Sequence, residues 1–173
     1  MLGVRIFLVL FLVYFLWRKD LRKPALLAMV SWPLANAACD AMKAGWRGTR
    51  PCVDLSDVVL RVEKLTSYGT SSAHSATMMA VAVAFFLYNR PLGIAWIVVA
   101  VLTGLSRIYV GVHYPYQVLL GWTTGAITAL IVAKTWEASV RTRQYSRNQD
   151  PEAVESETSP SSQAPSEPAS PVE

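Results

Sequence analysis

Three short polar islands interrupt the apolar parts of this chain, and the third contains the residue types most suited to chemistry. It covers residues 106–117, where Arg107 and His113 stand six positions apart between two runs apolar enough to cross a bilayer. Ionisable side chains are costly to desolvate in a membrane, so they mark functional sites there by default. The first island covers residues 43–51 and the second residues 70–74. We expect the rest of the chain to be a scaffold that brings the three islands together.

The first two islands contain side chains suited to a phosphate group. Lys43 supplies a point charge, and Arg50 supplies a planar fork that matches phosphate oxygens. In the second island, Ser71 or Ser72 is a natural N-cap, and the free N–H groups at the start of a helix can bind an anion. His74, at the same helix start, can donate a proton to a leaving group. Taken singly, the first island also suits lipid headgroups, and the second suits a plain helix cap.

His113 has the sequence surroundings of a nucleophile. Pro115 suits the first turn of a helix, which places His113 at the helix start and Gln117 one turn further on. A neutral imidazole is a competent nucleophile toward phosphorus when another group holds its second nitrogen as a donor. Gln117 is placed to be that group. Arg107, near the end of the preceding apolar run, either binds the same anion or reaches to the headgroups.

Together the islands resemble the signature of the type 2 phosphatidic acid phosphatase family, over roughly residues 24–133. The motifs of that family, KxxxxxxRP, PSGH and SRxxxxxHxxxD, are matched in order by Lys43-x6-Arg50-Pro51, Ser71-Ser72-Ala73-His74 and Ser106-Arg107-x5-His113-x3-Gln117. Ser71 and Ala73 replace the family's Pro and Gly, and Gln117 replaces its Asp. Some eukaryotic branches that resemble the family, including glucose-6-phosphatase and dolichyl-diphosphate phosphatase, also carry Gln there. The family bundle commonly has six spans.

The resemblance implies a helical-bundle phosphatase that needs no metal or other cofactor and acts on lipid phosphates at the outer face of a membrane. Carried over by position, it implies that His113 is the nucleophile that forms a phosphohistidine, that His74 is the general acid, and that Gln117 is the third catalytic residue. The phosphate-binding residues that it implies are Lys43, Arg50, Ser72, Ala73 and Arg107.

The leading functional prediction is hydrolysis of a lipid phosphate or diphosphate. A polyprenyl diphosphate such as undecaprenyl diphosphate is the first expected substrate, and lipids of the phosphatidic acid type come next. One alternative is transfer of the phosphate to another lipid. Another is a non-catalytic protein that binds or transports anionic lipids, although binding alone requires neither His74 nor His113. We expect a lipid partner and no nucleic acid, and the oligomeric state stays open.

Five segments are apolar enough to be membrane helices, although each is slightly shorter than the roughly 20 residues that a span needs. They are residues 2–17, 24–42, 74–88, 92–105 and 116–133. The first is interpreted as a span rather than a signal peptide, because Arg18-Lys19-Asp20 follows it in place of a small-residue cleavage site. The sequence therefore predicts an all-α, polytopic membrane bundle of about five transmembrane helices.

Cationic side chains occupy alternate connections between these segments. They lie at residues 18–23, at Arg90, and at residues 134–147. The positive-inside rule places these regions in the cytoplasm, which puts all three polar islands on the opposite face. We therefore expect an integral protein of the bacterial plasma membrane, with its active site on the non-cytoplasmic side and its C-terminal tail in the cytoplasm.

The connection of residues 43–73 breaks this charge pattern in a way that suits an anion site. It carries five cations on the non-cytoplasmic side, Lys43, Arg47, Arg50, Arg61 and Lys64. Apolar residues also recur in it at helical spacing, at Leu55, Val58, Val59, Val62 and Leu65. This pattern indicates an amphipathic helix at the membrane surface, which either covers the bundle or admits substrate.

Composition separates a membrane-embedded domain at residues 1–149 from a tail at residues 150–173. The domain carries all 16 Lys and Arg against 6 of the 12 Asp and Glu, a net charge of +10, whereas the tail has a net charge of −6. The tail is rich in Ser and Pro, lacks aromatic residues, and is predicted to be disordered. Cys39 and Cys52 lack the spacing of metal ligands and are expected to be thiols or, on an oxidising side, one disulfide.

Overall fold

The computed structural model describes residues 17–56, 60–61 and 68–149. Within those residues the regular structure is entirely helical, and no strand occurs. The helices are α1 (Arg22–Gly45), α2 (Pro51–Asp54), α3 (Ala73–Tyr88), α4 (Arg90–Tyr109) and α5 (Pro115–Gln149). The predicted all-α class is therefore confirmed.

Four of the predicted membrane segments correspond to helices of the structure. Helices α1, α4 and α5 are long and apolar enough to cross a membrane, while α3 has 16 residues and is shorter. At 1.5 Å per residue, α3 extends about 24 Å, against about 30 Å for the hydrocarbon core of a bilayer. The remaining predicted segment, residues 2–17, lies outside the described residues except for its last position.

Large apolar side chains on the long helices face outward, as expected for contact with lipid. Trp32 on α1, Leu102 on α4 and Ile127 on α5 are each more than half exposed. A helical surface that is apolar on its outer side is typical of a membrane bundle, where lipid takes the place of water.

Two tight connections set the order of the helices. Asn89 ends α3 and caps α4, because its backbone is extended and its side chain accepts a hydrogen bond from the Leu92 N–H at 3.1 Å. Between α4 and α5, Gly111 has a φ of 77°, a left-handed conformation that favours glycine. Both connections are short, so that the start of α3, the end of α4 and the start of α5 meet at one end of the bundle.

Small residues allow α3 and α5 to pack closely. A Cβ atom on Gly121 would lie 2.6 Å from the carbonyl oxygen of Ser72, and one on Gly125 would collide with the backbone of Ala76. The buried cluster at this contact consists of small side chains, Ala35, Cys39, Ala76, Ala80 and Ala129. Such interfaces are typical of membrane helices, which gain their packing energy from close backbone approach.

Helix ends differ from the sequence prediction most clearly in α5. The apolar pattern predicts an end near residue 133, but α5 continues to Gln149. Residues 134–149 contain neither Gly nor Pro and include several good helix formers, so nothing in them terminates the helix. A first compact unit of the chain ends at Thr135 and a second begins at Trp136.

Two other predictions fall mainly outside the described residues. The predicted amphipathic helix involves residues 55–65, of which 57–59 and 62–65 are not described. The described part before it forms only the short α2, and the chain becomes extended at Leu55. The tail at residues 150–173 is likewise not described. Cys39 and Cys52 are both free thiols.

Candidate active site

His113 lies in the turn between α4 and α5 and is only 5% exposed. The turn closes on the last part of α4, because the backbone N–H groups of Val112 and His113 both donate to the carbonyl oxygen of Arg107 at 3.3 Å. Gly111 supplies the left-handed residue that this reversal needs. The backbone of the third island therefore fixes where the imidazole lies.

Gln117 contacts the imidazole from one helical turn further on. It is fully buried, and its Oε1 lies 2.9 Å from Nδ1 of His113. The orientation of the amide follows from its other partners, since Oε1 accepts from the Tyr114 N–H at 3.2 Å and Nε2 donates to the Thr49 carbonyl at 2.7 Å. A backbone N–H can only donate and a carbonyl can only accept. Oε1 therefore faces His113, so that Nδ1 carries the proton and Nε2 is left as an acceptor.

Arg50 lies at the other nitrogen of the imidazole. Its Nη1 is 3.1 Å from Nε2 of His113 and donates to the Val112 carbonyl at 2.9 Å, while Nη2 donates to the Tyr68 carbonyl at 3.1 Å. Arg50 is 4% exposed. Gly69 makes room for it, because a Cβ at that position would lie 2.6 Å from the Arg50 Cγ. The first and third islands thus meet at the His113 ring.

These surroundings keep the imidazole of His113 neutral. Burial lowers the pKa of His113 from 6.5 to about 4, and the positive charges of Arg50 and Lys43 act in the same direction. The hydrogen bond to Gln117 and the backbone of Gly69 act in the opposite direction but do not outweigh burial. At neutral pH, His113 therefore presents an unprotonated Nε2.

The second island joins the site through the start of α3. Ser72 is the N-cap of α3, and its backbone N–H donates to the Gln117 carbonyl at 3.1 Å. Its hydroxyl accepts from the Ser75 hydroxyl at 2.9 Å. Ser71 is also buried, and its hydroxyl lies 3.3 Å from the thiol of Cys39 on α1.

Ala73 and His74 are the first two residues of α3. The His74 side chain is exposed and makes no hydrogen bond with the other residues that the structure describes. His74 therefore makes no hydrogen bond to the His113 ring, although it lies only two positions from Ser72.

The other two candidate cations lie at helix ends. Lys43 is in the last turn of α1 and forms an ion pair with Asp40 at 2.9 Å. Arg107 is in the last turn of α4, and its Nε is buried without a hydrogen-bond partner among the described residues. A buried guanidinium nitrogen with no partner is a donor in need of an acceptor.

Sequence reasoning did not anticipate the link that holds the first island to the third. Asp54 accepts hydrogen bonds from the Thr49 hydroxyl at 2.5 Å and from the Tyr114 hydroxyl at 3.2 Å. Thr49 and Tyr114 are the direct neighbours of Arg50 and His113. Asp54 thus joins the two segments through Thr49 and Tyr114, whereas the hydrogen bond of Nδ1 of His113 is made to Gln117.

A cavity of about 380 Å³ opens beside the imidazole. Its lining includes His113 itself, the apolar side chains of Leu55 and Ile108, and the side chains of Arg61 and Tyr109. The volume falls within the usual range for ligand pockets, roughly 300–1,000 Å³. The site can therefore accommodate a molecule larger than one phosphate group.

The sequence model of the PAP2 superfamily matches residues 24–141 of this chain. The chain is 29% identical over 121 residues to the bacitracin transport permease protein BcrC of Bacillus licheniformis. This alignment covers 69% of this chain and 60% of that protein. It is 31% identical over 109 residues to an undecaprenyl-diphosphatase of Sulfolobus acidocaldarius, and the alignment covers 62% of this chain and 53% of that protein. The chain thus matches between half and two thirds of the length of these relatives.

The fold is similar to a crystal structure described as the first transmembrane PAP2 type phosphatidylglycerolphosphate phosphatase from Bacillus subtilis. The TM-score is 0.58 at 23% identity, and the alignment covers 79% of this chain and 72% of that one. This similarity in fold and the three helices of spanning length indicate that the chain is a helical integral membrane protein.

Proposed function

The chain belongs to the PAP2 superfamily, and on that premise we propose that it is a membrane phosphatase that hydrolyses a lipid phosphate or diphosphate. The observation that carries the proposal is the arrangement at His113. One ring nitrogen is held by the Gln117 amide oxygen, and the other faces the guanidinium of Arg50 at 3.1 Å. A phosphate group bound by Arg50 would lie against this second nitrogen, which is unprotonated.

In the first step, Nε2 of His113 attacks the phosphorus atom and a phosphohistidine forms. The bond from phosphorus to the leaving oxygen breaks, and its electron pair stays with that oxygen. When the leaving group is an alkoxide it needs a proton, which His74 supplies. In the second step, a water molecule attacks the phosphohistidine, His74 accepts its proton, and inorganic phosphate is released with His113 restored.

Gln117 holds the nucleophile in the reactive tautomer. Because Nδ1 donates to Oε1, the lone pair of the ring is kept on Nε2, where the attack takes place. The amide carries no net charge, so it stabilises the positive charge of the attacking imidazole less than a carboxylate would.

The developing charge on phosphorus is stabilised by cations and by the N-terminus of α3. Arg50, Arg107 and Lys43 bind the phosphate oxygens, and the N–H groups after Ser72 add the positive end of the helix dipole. Removing a preorganised donor of this kind typically costs about 3 kcal/mol, or a hundredfold in rate. The unpartnered Nε of Arg107 fits such a role, since an incoming phosphate oxygen would give it an acceptor.

The substrate proposed first is a polyprenyl diphosphate of the undecaprenyl type. Support comes from the relative in Sulfolobus acidocaldarius that is named an undecaprenyl-diphosphatase. The Bacillus subtilis structure is titled a phosphatidylglycerolphosphate phosphatase, which keeps lipid monophosphates as the second class. The reaction takes place on the non-cytoplasmic face, because the cationic connections of the chain lie at the opposite ends of its helices.

The test is release of inorganic phosphate by the purified full chain in detergent from a panel of lipid mono- and diphosphates. Each substrate is assayed with and without EDTA, and with wild-type protein beside His113→Ala. Release by the wild type alone, unchanged by EDTA, supports the proposal. No release from any lipid would overturn it, and phosphate appearing on an added lipid acceptor instead of in water would identify a phosphotransferase.

A further inference from the structure

Arg61 lies on the wall of the cavity beside His113 but has no counterpart in the three motifs. The cavity has His113 on its lining and apolar walls that include Leu55 and Ile108. Arg61 is therefore a cation placed next to the proposed reaction centre and not yet given a role.

Tyr109, the last residue of α4, holds the Arg61 guanidinium in place. The Cζ atom of Arg61 lies 4.8 Å from the centroid of the Tyr109 ring, within the distance of a cation–π contact. Both residues line the cavity. Among the described residues, the ion pairs join Arg18 to Asp20 and Lys43 to Asp40, and neither involves Arg61. The stacked guanidinium keeps its N–H groups at its rim, where they can donate to an anion.

The chemistry of a lipid diphosphate calls for a further cation in the cavity beside the nucleophile. When Nε2 of His113 bonds to the terminal phosphorus, the bridging P–O bond breaks and the bridging oxygen leaves with the lipid monophosphate. That leaving group is already a weak base, so it needs a positive charge more than it needs a proton. The signature cations Lys43, Arg50 and Arg107 are assigned to the phosphate that is transferred, which leaves the second phosphate without a partner.

Building on the proposed function, we propose that Arg61 binds the second phosphate of a lipid diphosphate and makes the site selective for diphosphates over monophosphates. The apolar wall formed by Leu55 and Ile108 then receives the first part of the lipid chain. Tyr109 acts as a positioning residue, because it contacts Arg61 and not the phosphate.

Arg47 provides a matched control for Arg61. It lies in the same connection, is also exposed, and also places its guanidinium over a tyrosine ring, that of Tyr68 at 5.6 Å. It does not line the cavity. Arg61→Ala and Arg47→Ala therefore each remove one positive charge and one cation–π contact. The two variants differ in that only Arg61 lines the cavity.

The experiment measures kcat/KM for a lipid diphosphate and for the monophosphate of the same lipid. Arg61→Ala should lower the value for the diphosphate by about tenfold to a hundredfold, the usual weight of a charge-assisted hydrogen bond. In Arg61→Ala, kcat/KM for the monophosphate should change less than about threefold. In Arg47→Ala, kcat/KM should change less than about threefold for both substrates. Arg61→Lys should recover part of the loss. Tyr109→Ala should reduce the preference for the diphosphate, whereas Tyr109→Phe, which keeps the aromatic ring, should preserve it.

Equal losses on both substrates in Arg61→Ala, or equal effects of Arg61→Ala and Arg47→Ala, would overturn the role of Arg61 while leaving the phosphatase proposal intact. If the wild type releases no phosphate from either lipid, the phosphatase proposal fails instead, and calorimetry with inorganic diphosphate still decides on Arg61. Tighter binding to the wild type than to Arg61→Ala, with orthophosphate binding unchanged, supports the subsite. Identical diphosphate binding by both proteins would rule it out.

Discussion

At the scale of single residues, the chemistry proposed for the site depends on which nitrogen of His113 is unprotonated. The Gln117 amide and the Arg50 guanidinium lie at opposite sides of the ring, so only Nε2 can reach a phosphate bound by Arg50. His113→Ala should abolish turnover, because no other described side chain occupies that position. Rapid quenching with radiolabelled substrate should place the label on His113, and label on another residue would contradict the mechanism.

The demand on His74 should vary with the leaving group. A monophosphate ester releases an alkoxide, which needs a proton, whereas a diphosphate releases a weakly basic phosphate. His74→Ala should therefore reduce turnover of a lipid monophosphate by about a hundredfold or more and that of the matching diphosphate much less. The measurement is the ratio of the two rates in wild type and variant. A similar loss on both substrates would show that His74 acts mainly in the second step or in binding.

The signature cations should matter more than their neighbour in the same connection. Arg50 is buried against His113 and Arg107 has a buried nitrogen without a described partner, whereas Arg47 is exposed beside Tyr68. Alanine at Arg50 or Arg107 should lower kcat by about a hundredfold, and alanine at Arg47 by less than about threefold. Equal losses at all three positions would reduce the site to general electrostatic attraction.

The residue at position 117 influences how easily His113 takes up a proton, because it is hydrogen-bonded to the imidazole. The pKa of His113 lies at about 4, below the ordinary value of 6.5, so the reactive neutral form persists at neutral pH and is lost only as the pH falls through about 4. In Gln117→Asp, a carboxylate that reaches the ring would stabilise the imidazolium, so the pKa of His113 should rise. Gln117→Ala should slow turnover less than His113→Ala.

The chain contains only two histidines, which makes this prediction directly measurable. Protein labelled with 15N-histidine gives two imidazoles to follow by NMR, and a His74→Asn variant assigns them. The wild-type His113 signal should titrate near pH 4, and that of Gln117→Asp at a higher pH. An unchanged midpoint in Gln117→Asp, or a full loss of activity in Asp54→Asn with none in Gln117→Ala, would show that another group orients His113.

Motif spacing selected the side chains of the candidate site but not the backbone groups that hold them. Arg50, His113 and Gln117 could be selected from residue type and order alone. The carbonyl groups of Thr49 and Tyr68 could not, because every residue carries a carbonyl and only the fold shows which ones face an arginine or an amide. The Thr49 carbonyl fixes the orientation of the Gln117 amide, and the Tyr68 carbonyl holds Arg50. The tautomer of His113 that the sequence predicts therefore depends on a backbone group that the sequence does not single out.

At the scale of helices, the close contact of α3 and α5 should be the most sensitive to added volume. A Cβ on Gly125 would collide with the Ala76 backbone, which cannot move aside as a flexible side chain can. Gly125→Ala should therefore destabilise the protein by about 1–3 kcal/mol. Gly45, the last residue of α1, has nothing within 4 Å of its Cβ position and is the matched control.

The measurement is the thermal midpoint of both variants in the same detergent. Gly45→Ala should leave the midpoint unchanged or raise it, since alanine is the better helix former by up to about 1 kcal/mol. Gly125→Ala should lower it. Equal midpoints would mean that α3 and α5 separate in the detergent-solubilised protein.

The apolar segments were predictable because a membrane helix needs a long apolar run, whatever its partners. The helix ends were less so, since apolarity does not mark them. Helix α5 continues to Gln149 through polar residues that are good helix formers, and the hydropathy pattern has no feature that distinguishes this from a loop. The short length of α3 has a different cause, because Ser72, within the second island, caps the start of the helix.

At the scale of the whole molecule, the three polar islands lie at helix ends that meet on one side of the bundle. The end of α1, the start of α3 and the turn from α4 to α5 carry the three islands, and contacts from Arg50 and Ser72 to the third island show that they meet. The turn at Asn89 lies at the other ends of α3 and α4. From the positive-inside rule we expect the islands to face the non-cytoplasmic side and Arg90 to face the cytoplasm.

Cysteine labelling can test this orientation with few changes. Cys52 lies on α2 next to the first island and is partly exposed, whereas Cys39 is fully buried and should not react. A membrane-impermeant maleimide should label Cys52 in intact cells, and Cys52→Ser should remove that label. Pro91→Cys, placed in the Cys52→Ser background, puts an exposed thiol beside Arg90 without changing a charge, and it should react only after the membrane is permeabilised. Labelling of position 91 in intact cells, together with protection of Cys52 until permeabilisation, would place the site on the cytoplasmic face.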